Sequence, residues 1–411
     1  MEMPINNAEP LIMHIDLNSC YAIIEQQANR LIRNKPVGVA AYTSPGGFII
    51  ASSYEAKRQG IKLMRIRDAR EIDPGIIVMA PDPEKYFDAH RRFKAVLHRY
   101  TDLVTPKSID EFVVDFQGSA SVRAGRSVEE VGYEMKEEIK KALGEYVTVN
   151  IGIAPNRFLA KLAAGMDKPD GLTVLRGEEI PNILGQLDLV DLPGINYRYK
   201  ARLNLAHIFT PLDFFEAPMF KLKGEVFKSI VGYYWYLRLR GHEVDSQKFP
   251  IRSFGNDFAI REWSLDREAI SRYMMKLSEK TGRRLRKHGY HAFGIYLGLA
   301  FENGKWWGKS KRTSEPIYST QEIYGHLMRL FRLIDFPAKC THINIAVFNV
   351  ASATPLQLSF FDGTRMDTKS LARAADTIND RYGEFTVVPA KMANMQNIII
   401  KRVPFGSVRD I

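Results

Sequence analysis

The pattern of apolar and polar positions divides the first 180 residues into short strands that alternate with helices. Apolar runs bounded by turn residues predict strands, and apolar residues three or four positions apart predict helices. The predicted strands are Leu11–Asp16, Lys35–Ala41, Phe48–Ala51, Leu103–Ser108, Glu111–Phe116 and Val147–Ala154. The predicted helices are Ser19–Gln27, Ser52–Gly60, Asp88–Tyr100, Ser127–Leu143 and Arg157–Met166. This order predicts a mixed α/β (α+β) domain.

The short helix after the predicted strand Phe48–Ala51 has clear end signals. Ser52 and Glu55 have the spacing of a capping box, which predicts that Ser52 is the N-cap, and Gly60 is expected to end the helix. Its first turn carries Tyr54 and Lys57 on one face. Free N–H groups and the positive end of the helix dipole at such a turn favour an anion.

The rest of the chain predicts a helical unit and then a second mixed unit. Leu192–Ile195 and Lys221–Gly224 are predicted turns between helices, and an aromatic-rich helix is expected over Glu225–Arg240. From Ile251 onward the order strand, helix, strand, strand, helix, strand matches a split βαβ arrangement. These strands are predicted at Arg252–Arg261, His291–Phe301, Lys305–Arg312 and His342–Phe348, and the helices at Arg267–Lys287 and Thr320–Leu333. A partly helical segment follows Val350.

Composition adds a basic charge to this picture. The 411 residues suggest two to four domains, and 58 Lys and Arg against 47 Asp and Glu give a net charge of +11. This excess suits a partner rich in phosphates, and it is equally typical of a solvated basic surface. Cys20 and Cys340 lack metal-site spacing, which fits a reducing cytosol. With no apolar run of about 20 residues, we expect a cytoplasmic protein without membrane contact.

Three acidic residues lie at predicted strand ends. Asp16 ends an apolar strand, and Asp110 and Glu111 are adjacent at a hairpin turn. A carboxylate among apolar residues is costly unless a cation compensates it. If the two strands are neighbours, the acids would converge and could hold two Mg²⁺ ions. The same acids are also typical of ordinary turns, so their spacing alone leaves both interpretations open, and we interpret Asp115 as structural.

Five segments resemble, in order and at suitable separations, the motifs of the Y-family DNA polymerases that bypass lesions. These segments are Ile15–Ala22, Ser52–Lys57, Ser108–Glu111, Ile151–Gly171 and Leu192–Ile195, and the resemblance extends over about residues 11–350. It implies a right-hand fold. The implied parts are a palm at 11–28 and 84–180, fingers at 29–83, a helix-hairpin-helix thumb at 181–245, a linker at 246–251, a little finger at 252–350 and a tail at 351–411.

The resemblance implies a template-directed polymerase for translesion synthesis, of low fidelity and distributive, most simply a monomer. Asp16, Asp110 and Glu111 would bind two Mg²⁺ ions, with the backbone carbonyl of Leu17 as a further ligand. The substrates would be primer-template DNA and deoxynucleoside triphosphates. A non-catalytic DNA-binding scaffold and a nucleotidyl cyclase are alternatives. The first is disfavoured because all three acids are present, and the second because a cyclase has no use for the thumb and the basic last domain.

The resemblance also assigns residues to the nucleotide. Tyr21 would be the steric gate that clashes with a 2′ hydroxyl, although without the family it is typical of a half-buried helix aromatic. Tyr54, Lys57 and Lys168 would bind the triphosphate, although a single lysine is usually solvated.

Backbone amides at Gly194 and Gly224 would approach DNA phosphates closely. Lys309, Lys311 and Arg312 of the little finger would add a salt-sensitive contact with the DNA backbone.

The sequence departs from the family pattern near the gate. Cys20 stands where an aromatic residue is usual, Asn18 and Ser19 replace bulkier or acidic residues of some members, and Lys57 stands where many members have Arg. Lys57 and the tail favour the branch of the polymerase V catalytic subunit over the polymerase IV branch.

A short motif in the tail resembles the pentapeptide that binds the bacterial sliding clamp. In Gln357-Leu358-Ser359-Phe360-Phe361, Leu358 and both Phe rings would enter an apolar pocket while Gln357 hydrogen-bonds at its rim. The alternative is a segment that packs its aromatic rings within this chain.

Overall fold

The computed structural model describes residues 3–120, 125–247, 249–352, 363–393 and 395. The described residues up to Gln247 form one compact unit, and those from Phe249 onward form a second. The boundary lies inside the linker predicted at 246–251. None of the described helices is both long and apolar enough to cross a membrane.

A five-stranded sheet forms the centre of the first unit, in the order β5-β6-β1-β7-β8. Its strands are β1 Ile12–Leu17, β5 Val104–Pro106, β6 Glu111–Asp115, β7 Val149–Ala154 and β8 Leu172–Val174. The central strand β1 runs antiparallel to both β6 and β7. Because side chains alternate along a strand, Met13 and Ile15 enter one apolar core and Ile12 enters another on the opposite face.

Four helices flank this sheet. They are α1 Cys20–Ala28, α4 Pro83–Leu97, α5 Val128–Leu143 and α6 Arg157–Met166. The α5 capping box of Ser127 and Glu130 is complete, and α6 has the bounds that the sequence predicts. The predicted start of α4 at Asp88 is wrong because Asp82 caps the helix and Pro83 begins it.

A smaller sheet in the order β3-β2-β4 belongs to the same unit. Its strands are β2 Val37–Ala40, β3 Ile49–Ser52 and β4 Ile77–Met79, and it is accompanied by α2 Tyr54–Arg58, α3 Ile66–Ile72 and a 3₁₀ turn at Arg30–Ile32. The predicted cap at Ser52 is wrong by one residue. Ser53 accepts the hydrogen bond from the Ala56 N–H, while the Ser52 hydroxyl donates to the Lys62 carbonyl.

The helical segment that follows contains short helices. They are α7 Ile180–Leu184, α8 Tyr197–Leu205, α9 Pro211–Glu216, α10 Met219–Lys221 and α11 Val231–Leu239, with 3₁₀ turns at Gly177–Glu179 and Leu189–Asp191. The predicted helix Glu225–Arg240 is wrong in its first half, because a π-helical turn occupies Leu222–Val226. Gly224 lies inside that turn instead of in a tight loop.

The second unit has the predicted strand and helix order. Its sheet has the order β11-β10-β12-β9. The strands are β9 Ser253–Ser264, β10 Tyr290–Phe301, β11 Trp306–Ile317 and β12 Cys340–Ser352, and the helices are α12 Arg267–Lys287, α13 Thr320–Phe331 and α14 Gly363–Tyr382, with a 3₁₀ turn at Ala390–Met392. Helices α12 and α13 cover one apolar face of the sheet.

Candidate active site

The pairing of β1 with β6 brings the three predicted acids to one end of the five-stranded sheet. Asp16 lies directly opposite Glu111 in the antiparallel register. The Leu17 N–H donates to the carbonyl of Asp110 at 2.9 Å, which fixes the turn beside the strand end. The convergence predicted from two separate segments is therefore present in the backbone.

Two lysines bind the outer acids. The Lys161 ammonium donates to both carboxylate oxygens of Glu111, at 2.9 and 2.8 Å, and Lys168 donates to Asp16. Lys161 lies on α6, which approaches β7 closely because Gly152 has no side chain. A Cβ at Gly152 would lie 2.1 Å from the Ala160 carbonyl oxygen. The sequence places Lys161 in the family-like segment Ile151–Gly171 but gives it no role, since only the docking of α6 brings it to Glu111.

These lysines compensate the acids in the described structure. Within residues 3–120, 125–247, 249–352, 363–393 and 395, no three acidic, imidazole or thiol groups converge tightly enough to hold a metal ion as they stand. Glu111 faces Lys161, whereas Asp16 and Asp110 both line the neighbouring cavity. A cation that binds Asp16 must therefore take the place of the Lys168 contact, and one that binds Glu111 must share its carboxylate oxygens with Lys161.

Burial dominates the electrostatics of the acids. It raises the pKa of Asp16 against the opposing effect of Lys168, and it raises the pKa of Asp110 against a hydrogen bond from Ser108. Burial also acts on Glu111, but the hydrogen bond and charge of Lys161 outweigh it and lower the pKa. Two neighbouring carboxylates whose charged forms are disfavoured, together with a backbone carbonyl, are hard oxygen donors that fit a divalent cation.

The buried imidazole of His14 lies beside this group. Its Nε2 is 3.9 Å from a carboxylate oxygen of Glu111. Burial lowers the pKa of His14 to about 4, with Glu111 opposing the shift. The ring is therefore neutral at neutral pH and adds no positive charge to the site.

A cavity of about 420 Å³ opens beside the acids. It is lined by most of the predicted metal and nucleotide residues, namely Asp16, Leu17, Tyr21, Tyr54, Lys57, Asp110 and Lys168. The structure therefore brings together in one cavity residues from β1, α1, α2, the β5–β6 turn and the segment after α6.

Helix α2 presents Tyr54 and Lys57 to the cavity through contacts with two residues that depart from the family pattern. The Tyr54 hydroxyl donates to Asn18 Oδ1 at 3.3 Å, and the Lys57 ammonium donates to Ser19 Oγ at 2.8 Å. Lys57 also lies 4.8 Å from the centre of the Tyr54 ring. Asn18 and Ser19 thus position the predicted triphosphate residues, a role that their sequence does not reveal.

The electrostatics of α2 favour an incoming anion. Burial and the nearby charge of Lys168 lower the pKa of Lys57. Burial, followed by the charge of Asp16, raises the pKa of Tyr54 to about 12, so its hydroxyl stays protonated. The Tyr54 hydroxyl and the Lys57 ammonium suit a polyanion, because a bound anion reduces the repulsion between Lys57 and Lys168.

Tyr21 lines the cavity from α1 and is 4% exposed. Its ring stacks on Tyr86 of α4, with the centroids 4.4 Å apart and the planes inclined by 15°. The neighbouring Cys20 is buried. Burial and the charges of Asp110 and Asp16 raise the pKa of its thiol well above the usual value, so the thiol stays uncharged. Cys20 therefore packs as a small neutral side chain at the position where the family pattern has an aromatic ring.

The predicted DNA-binding residues are distributed over both units. Gly194 has φ +94°, a conformation that favours glycine. Gly224 has no positive φ, and an added Cβ would meet nothing within 4 Å in this chain, so the fold does not require glycine there. Its approach to DNA phosphates stays a prediction. Lys309, Lys311 and Arg312 are exposed on β11, an edge strand of the second unit.

The predicted clamp motif, Gln357, Leu358, Phe360 and Phe361, lies outside the described residues.

Comparison with known proteins identifies the family. Residues 15–165 match the impB/mucB/samB family and residues 251–360 match the C-terminal domain of that family. A solved Y-family DNA polymerase chimera has a TM-score of 0.71 and 25% identity, and the match covers 83% of this chain and 99% of that chain.

Curated relatives carry the name DNA polymerase IV. The protein of Bacillus velezensis is 30% identical over 328 residues, which cover 78% of this chain and 77% of the relative. The protein of Pelotomaculum thermopropionicum is 29% identical over 398 residues, which cover 95% and 97% respectively. These names contradict the predicted affinity to the polymerase V branch, since Lys57 and the tail are too few features to define a branch.

The fold and the sequence matches both indicate DNA polymerase activity. Polymerases of this kind act on primer-template DNA and deoxynucleoside triphosphates with divalent metal ions. The chain therefore belongs to the Y family of DNA polymerases and is a DNA-directed DNA polymerase of the translesion type.

Proposed function

We propose that this polymerase adds nucleotides by two-metal chemistry with Mg²⁺ at Asp16, Asp110 and Glu111. The observation that carries the proposal is the register of β1 against β6, which sets Asp16 opposite Glu111 with Asp110 beside Leu17. The three carboxylates and the Leu17 carbonyl would hold the ions. Bound Mg²⁺ would activate the primer 3′ hydroxyl and stabilise the pyrophosphate that leaves.

The lysines of the site would then change partners. Lys168 contacts Asp16 in this structure and also lines the cavity with Lys57. When a cation compensates Asp16, the Lys168 ammonium is released to bind the triphosphate together with Tyr54 and Lys57. Lys161 would orient Glu111 through its two hydrogen bonds.

The sugar would be selected by Tyr21. Its buried ring forms part of the cavity wall, close to the acids and to α2. A 2′ hydroxyl on the incoming nucleotide would clash with this ring, so deoxynucleotides would be favoured over ribonucleotides.

The remaining proposals concern the grip on DNA and the partners. We expect the backbone at Gly194 and Gly224 to contact DNA phosphates without reading sequence. The exposed cations Lys309, Lys311 and Arg312 would add contacts of the same kind. The small three-stranded sheet of the predicted fingers leaves little protein to test the new base pair, which supports low fidelity and distributive synthesis. We further propose a cytoplasmic monomer that binds the sliding clamp through Gln357–Phe361.

Primer extension with Mg²⁺ on damaged and undamaged templates tests the metal site. We expect Asp110→Asn to lower the rate of incorporation by at least about a hundredfold, because loss of one charge weakens every interaction with the ions. Asp115→Asn is the matched control. Asp115 lies at the far end of β6 from Asp110 and contacts Arg157 and the Gln117 N–H, so we expect near-normal activity.

Equal rates for Asp110→Asn and the native chain would contradict the assignment of the acids. No extension by the native chain at any enzyme concentration would contradict the activity itself.

A further inference from the structure

A buried network connects Tyr21 to the neighbouring helix. Tyr21 and Glu25 are one turn apart on α1 and are 4% and 2% exposed, so they lie on the same face. Tyr86 of α4 is fully buried and contacts both of them. Its ring stacks on Tyr21, and its hydroxyl donates to Glu25 Oε1 at 2.9 Å.

Glu25 also accepts a second hydrogen bond from α4. The Lys85 ammonium donates to the other carboxylate oxygen, Oε2, at 2.8 Å. Adjacent residues of α4 therefore occupy both oxygens of one carboxylate on α1. A buried carboxylate is costly without such partners, so these two bonds fix Glu25, one turn from Tyr21, against α4.

We propose that Glu25 and Tyr86 are positioning residues that set the sugar selectivity of this polymerase by holding the ring of Tyr21 in place. The proposal rests on the function of Tyr21 as the steric gate. A gate rejects a 2′ hydroxyl only if its ring cannot move aside by about an ångström. The Tyr86 ring, which its hydrogen bond to Glu25 holds in place, stacks on Tyr21 and prevents that movement.

The chemistry of the network distinguishes positioning from core packing. A phenylalanine at position 86 would fill the same space, as Phe93 and Phe112 do where they pack edge to face in the same core. The tyrosine hydroxyl adds a directional bond that fixes how deeply its ring lies against Tyr21. Tyr86 is not among the residues that line the cavity, so it acts through Tyr21 and not on the nucleotide directly.

The test is single-nucleotide incorporation by the full chain on one undamaged primer-template. The efficiencies for a deoxynucleotide and the matching ribonucleotide are compared in the native chain, Tyr86→Phe and Glu25→Gln. We expect ribonucleotide efficiency to rise about threefold to tenfold in both variants, the change that loss of one ordinary hydrogen bond produces. Deoxynucleotide efficiency should change less than about twofold.

A matched control removes the same kind of bond elsewhere. The Tyr100 hydroxyl donates to Glu134 Oε1 at 2.8 Å, and neither residue lines the cavity. Tyr100→Phe should leave the sugar selectivity unchanged. Thermal unfolding of each variant shows whether the proteins compared are folded, and if Glu25→Gln fails to fold, Tyr86→Phe decides the test because it keeps the ring.

A double variant separates this proposal from the gate assignment. Tyr21→Ala should raise ribonucleotide incorporation, and adding Tyr86→Phe to it should change nothing further, because the two residues act as one unit. If Tyr21→Ala has no effect on selectivity, the gate assignment and the proposal both fail. If Tyr21→Ala raises incorporation but Tyr86→Phe and Glu25→Gln do not, only the positioning proposal is overturned.

Discussion

Single residues in this site are arranged around buried charge. Burial disfavours the charged forms of Asp16 and Asp110, and Lys168 and Lys161 supply positive charge where the metal ions of the proposed mechanism would lie. In that mechanism Lys168 compensates Asp16 until a cation replaces it, and Lys161 continues to orient Glu111. Asn18 and Ser19, which the sequence marks only as departures from the family pattern, complete the arrangement by holding Tyr54 and Lys57.

His14 allows a test of burial at the residue scale. Its pKa in the folded chain is lowered to about 4, whereas the unfolded chain binds the proton near pH 6.5. Between these values the unfolded state holds more protons, so the contribution of His14 to stability is lost as pH falls from about 6.5 to about 4. His14→Gln removes this loss. From pH 7.5 to pH 5 its free energy of unfolding should fall by about 2 kcal/mol less than that of the native chain.

Urea unfolding at the two pH values measures this difference, and because both proteins carry the same carboxylates, the comparison isolates the imidazole. An identical pH response in both proteins would mean that His14 protonates normally in the folded chain.

Secondary-structure elements set the distances within the site. Strand pairing places the acids, and the docking of α6 on β7 places Lys161. The docking depends on Gly152, over which the backbone of Ala160 and Ala164 passes. A close approach of this kind makes one residue responsible for the position of a whole helix.

Gly152→Ala should therefore destabilise the first unit. Its new Cβ would lie 2.1 Å from backbone atoms of α6, which cannot move away as a flexible side chain can. We expect a loss of about 1–3 kcal/mol, measured by urea unfolding, and a fall in polymerase activity as Lys161 moves away from Glu111. Gly165→Ala is the matched control in α6, because nothing lies within 4 Å of its added Cβ. A helix with alanine at that position is equally stable or gains up to about 1 kcal/mol.

If Gly152→Ala were as stable and as active as Gly165→Ala, the close approach of α6 would not position the site.

At the scale of the whole molecule, the described residues form two compact units. The first contains the cavity beside Asp16 and Asp110, and the second presents Lys309, Lys311 and Arg312 on an exposed edge strand. The C-terminal part of the second unit includes α14, which is joined to α12 by the bidentate pair of Arg286 with Asp376, at 2.6 and 2.8 Å. The proposed clamp motif lies between β12 and α14 in the sequence.

Clamp binding is a prediction about the whole molecule because it changes processivity and not the chemistry. Replacing Phe360 and Phe361 with Ala should abolish stimulation of primer extension by a bacterial sliding clamp, since both rings are lost from the pocket. Distributive synthesis without the clamp should be unchanged. Ser359→Ala, within the same segment, should keep the stimulation. Full stimulation of the double variant would show that the clamp binds elsewhere or not at all.

The sequence by itself determined most elements and their order, because the period of apolar residues is a local property. It predicted both ends of α6 and the order of elements in the second unit. It missed the cap at Ser53, where two adjacent serines are both candidate caps, and the π-helical turn at Leu222–Val226. It also supplied the acids and the family resemblance.

Only the tertiary structure decided which side chains act together. The contacts of Lys161 with Glu111 and of Tyr86 with Glu25 join residues that are far apart in the chain. Such contacts depend on strand register and helix docking, which no local pattern encodes. For this reason the sequence alone identified the acids, whereas the residues that hold the acids and the gate in position emerged only from the fold.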